Sequence, residues 1–283
     1  MRFSASVAGR LLGSIPSPSS GEIPLGPLRL HAYGLCIAMG VVSAVWLSNR
    51  RWLARGGHQG DVNAIATWAV PAGVIGARMY HVATDWRSFR GRWLETLYIW
   101  QGGLGIWGGV LLGVLVGVFV ARRRGLPALV LVDVAAPAIP LAQAIGRLGN
   151  WFNQELFGRP TTLPWALRID VDHRPKGYAQ FATFHPTFLY ELLWDLAVVC
   201  VVLLVERRWG RRLRTGRLFA VYVSMYTLGR FFIERVRIDT ASRVGGLRIN
   251  EWVAGVVFVL AATVLVLGVP RSPDDQRVAK PAQ

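Results

Sequence analysis

Seven apolar stretches divide this sequence, and each is long enough to cross a lipid bilayer as a helix. Hydrophobic residues make up 53% of the 283 residues and charged residues only 17%, whereas a soluble domain averages about 25% charged. A soluble chain of this length could not bury seven such helices. The sequence therefore predicts an all-α polytopic membrane protein with about seven transmembrane helices, at about 28–49, 62–83, 97–121, 126–146, 187–206, 217–235 and 249–269.

The remaining segments suggest a layout of the chain around these helices. Arginines are denser after the first, third and fifth stretches than after the second and sixth, which places the N-terminus outside and the C-terminus in the cytoplasm. Between the fourth and fifth stretches lies a polar, proline-rich segment. We expect an interfacial arm (1–27), helices 1–4 (28–146), a small extracytoplasmic head (147–186), helices 5–7 (187–269) and a disordered cytoplasmic tail (270–283).

The formal net charge of +16 raises nucleic acid as a possible partner. The arginines, however, lie in short clusters between apolar stretches, as in Arg122 to Arg124, and this distribution is typical of cytoplasmic membrane loops. We therefore expect no nucleic-acid partner. The two cysteines fall inside apolar stretches, and no zinc-binding spacing is present, so we expect no metal site.

The sixth stretch carries a polar face. Tyr226, Arg230 and Glu234 follow one another at steps of four residues and therefore line one side of a helix. Charged groups inside a membrane are costly, so each needs a partner or a function. One interpretation is an anion site, because the planar guanidinium suits bidentate recognition of phosphate. The other is a structural pair of Arg230 with Glu234.

A second concentration of polar residues follows the fourth stretch, in GRLGNWFNQELFGRP at 146–160. Arg147, Asn150, Glu155 and Gly158 stand among several glycines there. Glycine allows a ligand to approach the backbone closely, and asparagine supplies both hydrogen-bond donors and acceptors. The pattern favours a shaped binding segment, although a capped helix followed by a turn would also explain it.

Together these segments resemble the prolipoprotein diacylglyceryl transferases of bacterial inner membranes. Their sequence variants are similar to those of actinobacterial members. GRLGNWFNQELFGRP is similar to the family signature almost throughout. The resemblance covers nearly the whole chain, in the family's order, through HAYGL (31–35), GARMYH (76–81), GGLGIWGG (102–109), HPTFLYE (185–191) and YTLGRFFIE (226–234).

The resemblance implies transfer of the diacylglyceryl group from phosphatidylglycerol to the lipobox cysteine of prolipoprotein signal peptides, with release of glycerol phosphate. It implies membrane lipid as a partner, a location in the bacterial cytoplasmic membrane, and no cofactor. It assigns catalysis to Arg147, Arg230, Tyr33, Glu155 and Glu234. We expect the binding of phosphatidylglycerol to involve Arg147, Asn150, Gly158, Tyr226, Arg230 and Arg78.

One position departs from the family. Many members carry a histidine, a candidate general base, where this chain has Trp107, and an indole cannot accept a proton. Glu155, Glu234, Tyr33 or a lipid phosphate oxygen are the alternative bases. A multi-pass transporter and a catalytically inactive lipid-binding relative are the competing hypotheses for the whole chain.

Overall fold

A computed structural model describes residues 13–25, 28–99, 102–210, 213–239 and 243–268, and these residues are mostly helical. The predicted arm and tail lie partly or wholly outside them, because residues 1–12 and 269–283 are not described. Eight α-helices occur in the described part of the chain: α1 Ala32–Leu53, α2 Asp61–Thr84, α3 Ile106–Arg123, α4 Ala128–Ala135, α5 Ala138–Phe152, α6 Thr187–Trp209, α7 Arg217–Glu234 and α8 Ile249–Leu267.

Four of these helices, α1, α3, α6 and α8, are long and apolar enough to cross a membrane. The consecutive helices α4 and α5 add a fifth candidate if together they form one broken span. Many large apolar side chains on the helices are exposed, including Val42, Trp46 and Leu204, and lipid rather than water suits such surfaces. The chain is therefore a helical membrane protein with four to five candidate spans among the described residues.

The first predicted helix lies four residues later than its window, because Leu28–His31 form a strand, and the third and fourth differ more. The third helix begins at Ile106 rather than near residue 97, because Gly102 and Gly103 adopt φ values of 86° and 71° that no right-handed helix contains. A short 3-10 helix at Trp93–Leu97 precedes them. The fourth window is divided between α4 and α5 at residues 136–137, where Pro137 has no N–H to continue the hydrogen-bond ladder of α4.

The described residues divide into two compact units, one within 13–44 and 135–268 and the other within 45–134. In the first unit, α5, α6 and α7 pack around a core that includes Ala136, Val198, Val202, Leu218 and Tyr222. In the second unit, α2 and α3 approach closely at Gly76 and Gly108. A Cβ atom at either glycine would lie within 2.3 Å of the other's carbonyl oxygen, so only glycine permits this contact.

The connection between α5 and α6 covers most of the segment predicted to form the head, 147–186. Its strands β3 (Leu167–Arg168) and β4 (Thr183–Phe184) pair antiparallel, with Leu167 opposite Phe184, over a small apolar core. The helix α5 continues to Phe152 and ends where Gln154 takes a φ of 51°. Arg147 and Asn150 therefore lie on a helix, and the non-helical connection begins at residue 153 instead of 147.

Two further hairpins flank the helices. The strands β1 (Glu22–Leu25) and β2 (Leu28–His31) pair just before α1, and β5 (Arg243–Val244) and β6 (Leu247–Arg248) pair just before α8. The second hairpin places Arg248 at the N-terminus of α8. The chain before β1 packs along the head, where the Trp151 indole donates a hydrogen bond to the carbonyl of Pro16 at 3.0 Å.

Candidate active site

Helices α5, α6 and α7 bring charged side chains together inside the first unit. Arg147 extends from α5, Glu191 and Asp195 from α6, and Arg230 from α7. A small cavity beside them is lined by Arg147, Glu191, Trp194, Asp195, Tyr226, Arg230 and Ile233. Both arginines that the sequence singles out thus meet at one site.

Glu191 joins the two arginines. Its Oε1 lies 2.8 Å from Nη1 of Arg230, and its Oε2 lies 3.1 Å from Nη1 of Arg147. Each carboxylate oxygen therefore faces a different guanidinium. Glu191 thus links two arginines that come from different helices, and this pairing holds their guanidinium groups close together.

Asp195 lies one helical turn after Glu191, so the two carboxylates share one face of α6. Arg147 faces both of them, since its Nε lies 3.9 Å from Oδ2 of Asp195. At that distance the contact is not a hydrogen bond, and both atoms are buried without a hydrogen-bond partner among the described residues. Arg147 therefore keeps donor capacity next to the cavity.

Glu234 is fully buried at the end of α7. Its Oε2 lies 2.7 Å from Nη2 of Arg230, one turn earlier on the same helix. Its Oε1 lies 3.1 Å from Nε of Arg248 and accepts a hydrogen bond from Nδ2 of Asn250 at 3.0 Å. The structural pair of Arg230 with Glu234 thus exists, but it is one link in a larger network.

Arg237 extends this network beyond α7. Its Nη1 lies 3.8 Å from Glu191, and its Nε donates to Asp239 at 2.7 Å. Burial alone would raise the pKa of Asp239, but the hydrogen bond from Arg237 and the charges of Arg237 and Arg248 hold that pKa below its usual value. Four arginines thus face four carboxylates, namely Arg147, Arg230, Arg237 and Arg248 against Glu191, Asp195, Glu234 and Asp239.

The signature segment forms a second set of contacts at the end of α5. Asn150 donates to Glu155 Oε1 at 2.8 Å, and Asn153 donates to the same oxygen at 3.4 Å. The Tyr33 ring packs against Gly149, where a Cβ atom would lie 2.5 Å from the ring. Tyr33 therefore lies beside the last turns of α5, next to the residue, Asn150, that binds Glu155.

Gly158 has a packing role that its residue type explains. Its N–H donates to the carbonyl of His185 at 2.9 Å, and it pairs with Arg237 as an antiparallel bridge. A Cβ atom at Gly158 would lie 2.8 Å from both His185 Cβ and Val236 Cγ1. Glycine thus lets the signature segment pass against the chain that carries Arg237.

Arg78 and Trp107 belong to the second unit. Arg78 is buried and donates to four backbone carbonyls, those of Glu95, Thr96, Gly102 and Gly103. These bonds hold the chain before α3 in place and use most of its N–H groups. Trp107, near the start of α3, is 60% exposed. The described residues contain no group of three or more histidines, cysteines or carboxylates arranged to hold a metal ion.

Sequence reasoning did not assign six residues of the network: Glu191, Asp195, Arg237, Asp239, Arg248 and Asn250. Glu191 and Asp195 carry a signal, since each is an ionisable residue inside an apolar stretch. The other four lie at or beyond the ends of α7 and α8, where polar residues are ordinary. Only their contacts reveal them.

Comparison with known proteins bears on the whole chain. A family model described as prolipoprotein diacylglyceryl transferase matches residues 22–267. A phosphatidylglycerol–prolipoprotein diacylglyceryl transferase of Cutibacterium acnes is 53% identical, over 90% of this chain and 86% of its own length. A second, from Streptomyces coelicolor, is 50% identical over 95% of this chain and 85% of its length. A third, from Mycobacteroides abscessus, is 44% identical over 93% of this chain and 81% of its length.

Proposed function

Because this chain belongs to the prolipoprotein diacylglyceryl transferase family, we propose that its buried arginine and carboxylate network is where it carries out phosphatidylglycerol–prolipoprotein diacylglyceryl transfer, the first step of lipoprotein maturation. One observation carries the proposal. Arg147 and Arg230, from different helices, meet at Glu191 beside a cavity in a helical membrane protein. Paired guanidinium groups at membrane depth suit a lipid phosphate.

The reaction joins the sulfur of the lipobox cysteine to a glyceryl carbon of the lipid. The carbon–sulfur bond forms as the bond from that carbon to the phosphate oxygen breaks, and the oxygen leaves on glycerol phosphate. The thiol loses one proton, because the thiolate is the nucleophile. The transfer therefore needs stabilisation of the phosphate that leaves and a group that receives the proton.

Phosphate stabilisation falls to Arg147 and Arg230. Each arginine of the network already faces a carboxylate, so a lipid phosphate would not meet unpaired cations. It would join Glu191 as a second acceptor of guanidinium hydrogen bonds, and the buried Nε of Arg147 is available because no other described group accepts from it. Such bonds gain strength in a site with little water. Asn150, Gly158 and Tyr226 shape the walls around the lipid.

Proton acceptance falls to Glu155 rather than to Glu234, and a neutral phenol such as that of Tyr33 is a weaker candidate because it already carries its proton. Both oxygens of Glu234 already face cationic or amide donors, and the residue is fully buried. Glu155 accepts hydrogen bonds from the amides of Asn150 and Asn153, and no arginine is paired with its carboxylate among the described residues. Tyr33 is 36% exposed and packs against Gly149, next to Asn150, where its hydroxyl could relay a proton. Arg78 would contribute by holding the chain before α3.

The proposal includes seven spans, with the head on the outer side and the C-terminus in the cytoplasm of a bacterial membrane. Helices α2 and α7 would then be spans that carry polar residues for folding and catalysis. Cysteines placed at Arg123 and Lys176 test this arrangement in intact cells with an impermeant thiol reagent. Labelling is expected at Lys176 only, and labelling at Arg123 alone would reverse the orientation.

The activity itself is tested with purified protein, phosphatidylglycerol and a lipobox peptide. The peptide mass should increase by one diacylglyceryl group, and glycerol phosphate should appear in equal amount. A peptide in which serine replaces the lipobox cysteine is the matched control. No mass increase with folded protein would contradict the proposal and favour an inactive lipid-binding relative or a transporter.

A further inference from the structure

Arg248 is 4% exposed, at the junction of β6 and α8. Its five N–H groups meet five oxygen contacts. Nε lies 3.1 Å from Glu234 Oε1, and Nη1 donates to the carbonyls of Glu234 and Arg237 at 3.0 and 3.2 Å. Nη2 donates to the carbonyl and carboxylate of Asp239 at 2.6 and 3.0 Å. Every nitrogen of this guanidinium therefore has an oxygen partner, and the group cannot rotate without losing contacts.

The oxygen of Glu234 that faces Arg248 also accepts from Asn250, two residues further along the chain. The N-terminus of α8 thus holds one side of the Glu234 carboxylate with two side chains. The other side of that carboxylate lies 2.7 Å from Arg230. A guanidinium held by one flexible carboxylate can turn, whereas one held by an immobilised carboxylate keeps its plane.

The contacts form an alternating row of charges. Arg248 contacts Glu234, Glu234 contacts Arg230, Arg230 contacts Glu191, and Glu191 contacts Arg147. Arg248 is not among the residues that line the cavity. Two rows of contacts connect it to the cavity: one runs through Glu234 to Arg230, and the other runs through Asp239 and Arg237 to Glu191. The row through Glu234 is the closer one, because Arg237 lies 3.8 Å from Glu191 whereas Arg230 lies 2.7 Å from Glu234.

We propose that Arg248, supported by Asn250, is a positioning residue of the transferase, which fixes Glu234 and through it orients Arg230 toward the lipid phosphate. This inference rests on the proposed role of Arg230 in phosphate recognition. A purely structural role is the alternative, because Arg248 also ties the carbonyls of residues 234, 237 and 239 to α8.

Steady-state kinetics of the purified full chain separate the two roles. Arg248→Lys keeps the charge but cannot reach Glu234 and Asp239 together. We expect kcat/KM for phosphatidylglycerol to fall about tenfold, while KM for the lipobox peptide changes less than about twofold. In the double variant, the fold-loss of kcat/KM should be smaller than the product of the losses for Arg248→Lys and Glu234→Gln. Both substitutions act through the guanidinium of Arg230.

The matched control is Arg174→Met. Arg174 donates to loop carbonyls in the head, those of Ile169 and Ala179, and contacts no carboxylate among the described residues. Its loss tests backbone clamping alone, and kcat/KM for the lipid should stay within about twofold of wild type even if the melting temperature drops.

A folded Arg248→Lys variant with wild-type kcat/KM for the lipid would overturn the inference, as would losses that multiply with those of Glu234→Gln. If Arg248→Lys does not fold, Asn250→Ala decides, with an expected loss of about threefold or more and wild-type kinetics as the contrary result. Arg230→Lys, measured in the same assay, tests the proposed role of Arg230 independently of the role of Arg248. If Arg230→Lys is impaired and the Arg248 and Asn250 variants are not, only this inference falls; if Arg230→Lys is fully active, the proposed role of Arg230 falls first.

Discussion

Oε1 of Glu191 lies 2.8 Å from Nη1 of Arg230, although 39 residues separate them in the chain. An arginine that the sequence suggests for anion recognition is therefore paired inside the protein. Breaking a buried pair costs about 3–5 kcal/mol when one partner is removed. A lipid phosphate must consequently add to this pairing or exchange with it, and substitutions at the site will affect both folding and turnover.

Replacing Arg230 by lysine should lower transfer activity roughly tenfold or more. Lysine keeps the charge but presents one ammonium group, which cannot bind Glu191 and Glu234 through separate nitrogens as Arg230 does. The loss of one charge-assisted contact in the transition state is worth about 1.5–3 kcal/mol. The assay is lipid transfer per folded molecule.

Arg217→Lys, at the first turn of the same helix, is the control for Arg230→Lys and should keep wild-type activity. An Arg230→Lys protein that is unstable yet fully active per folded molecule would show that the pairing is only structural.

Replacing Arg147 by alanine should leave almost no activity. The change removes a donor from the proposed phosphate site and leaves Glu191 and Asp195 facing each other on α6 with less positive charge. By analogy with lost oxyanion donors, the barrier should rise by several kcal/mol. Folded protein is measured first by thermal unfolding, and activity near wild type in the folded fraction would contradict the assignment.

Hydropathy and spacing predict a large part of this arrangement. The helix face of Tyr226, Arg230 and Glu234 follows from steps of four residues, and in the structure Tyr226 and Arg230 line one cavity while Glu234 contacts Arg230. Arg147 stands out because it belongs to the polar, glycine-rich segment 146–160 that follows the fourth apolar stretch. Periodicity therefore locates side chains that lie on one helix.

Contacts between distant elements do not follow from the sequence pattern. Arg248 and Asn250 belong to a polar connection, where hydropathy gives no signal, and their relation to Glu234 depends on how α8 packs against α7. The start of α3 at Ile106 depends on two glycines with positive φ, a property of tertiary context that an apolar window does not reveal. Packing decides both.

Replacing Trp107 by phenylalanine should leave most of the transfer activity. The indole N–H can position a lipid oxygen but cannot take a thiol proton, and the side chain is largely exposed. Trp107→His should also be tolerated, since a smaller ring fits beside Gly108. In one assay, an inactive Trp107→Phe variant beside an active Arg147→Ala variant would overturn the proposed division of roles.

Replacing Gly158 by alanine should lower the free energy of unfolding by about 1–3 kcal/mol. The new Cβ would lie 2.8 Å from His185 Cβ and 3.0 Å from the Val236 carbonyl oxygen, and neither atom belongs to a flexible chain end. Gly255→Ala is the matched control, because a Cβ there meets nothing within 4 Å and helix propensity favours alanine by about 0.5–1 kcal/mol. Equal thermal stabilities of the two variants would contradict the packing role.

His185 lies in the head, two residues before the start of α6. Its Nδ1 lies 3.1 Å from the Tyr190 hydroxyl, and that oxygen accepts a hydrogen bond from the Trp165 indole at 3.0 Å. The Tyr190 hydroxyl can donate its own proton to Nδ1 when that nitrogen is unprotonated. Burial, followed by the charge of Arg159, lowers the pKa of His185 below its ordinary value of 6.5.

Because the folded state disfavours the protonated imidazole, His185 does not oppose folding above pH 6.5. As the pH falls below 6.5, the unfolded chain gains a proton that the folded chain still refuses, so the free energy of unfolding decreases until the pH reaches the lower, folded pKa. Melting temperatures between pH 8 and pH 5 should therefore fall further for wild type than for His185→Gln, which keeps an acceptor but does not titrate. His173→Gln, an exposed histidine of the same head, should follow wild type. Parallel curves for wild type and His185→Gln would mean that this hydrogen bond does not depend on a neutral imidazole.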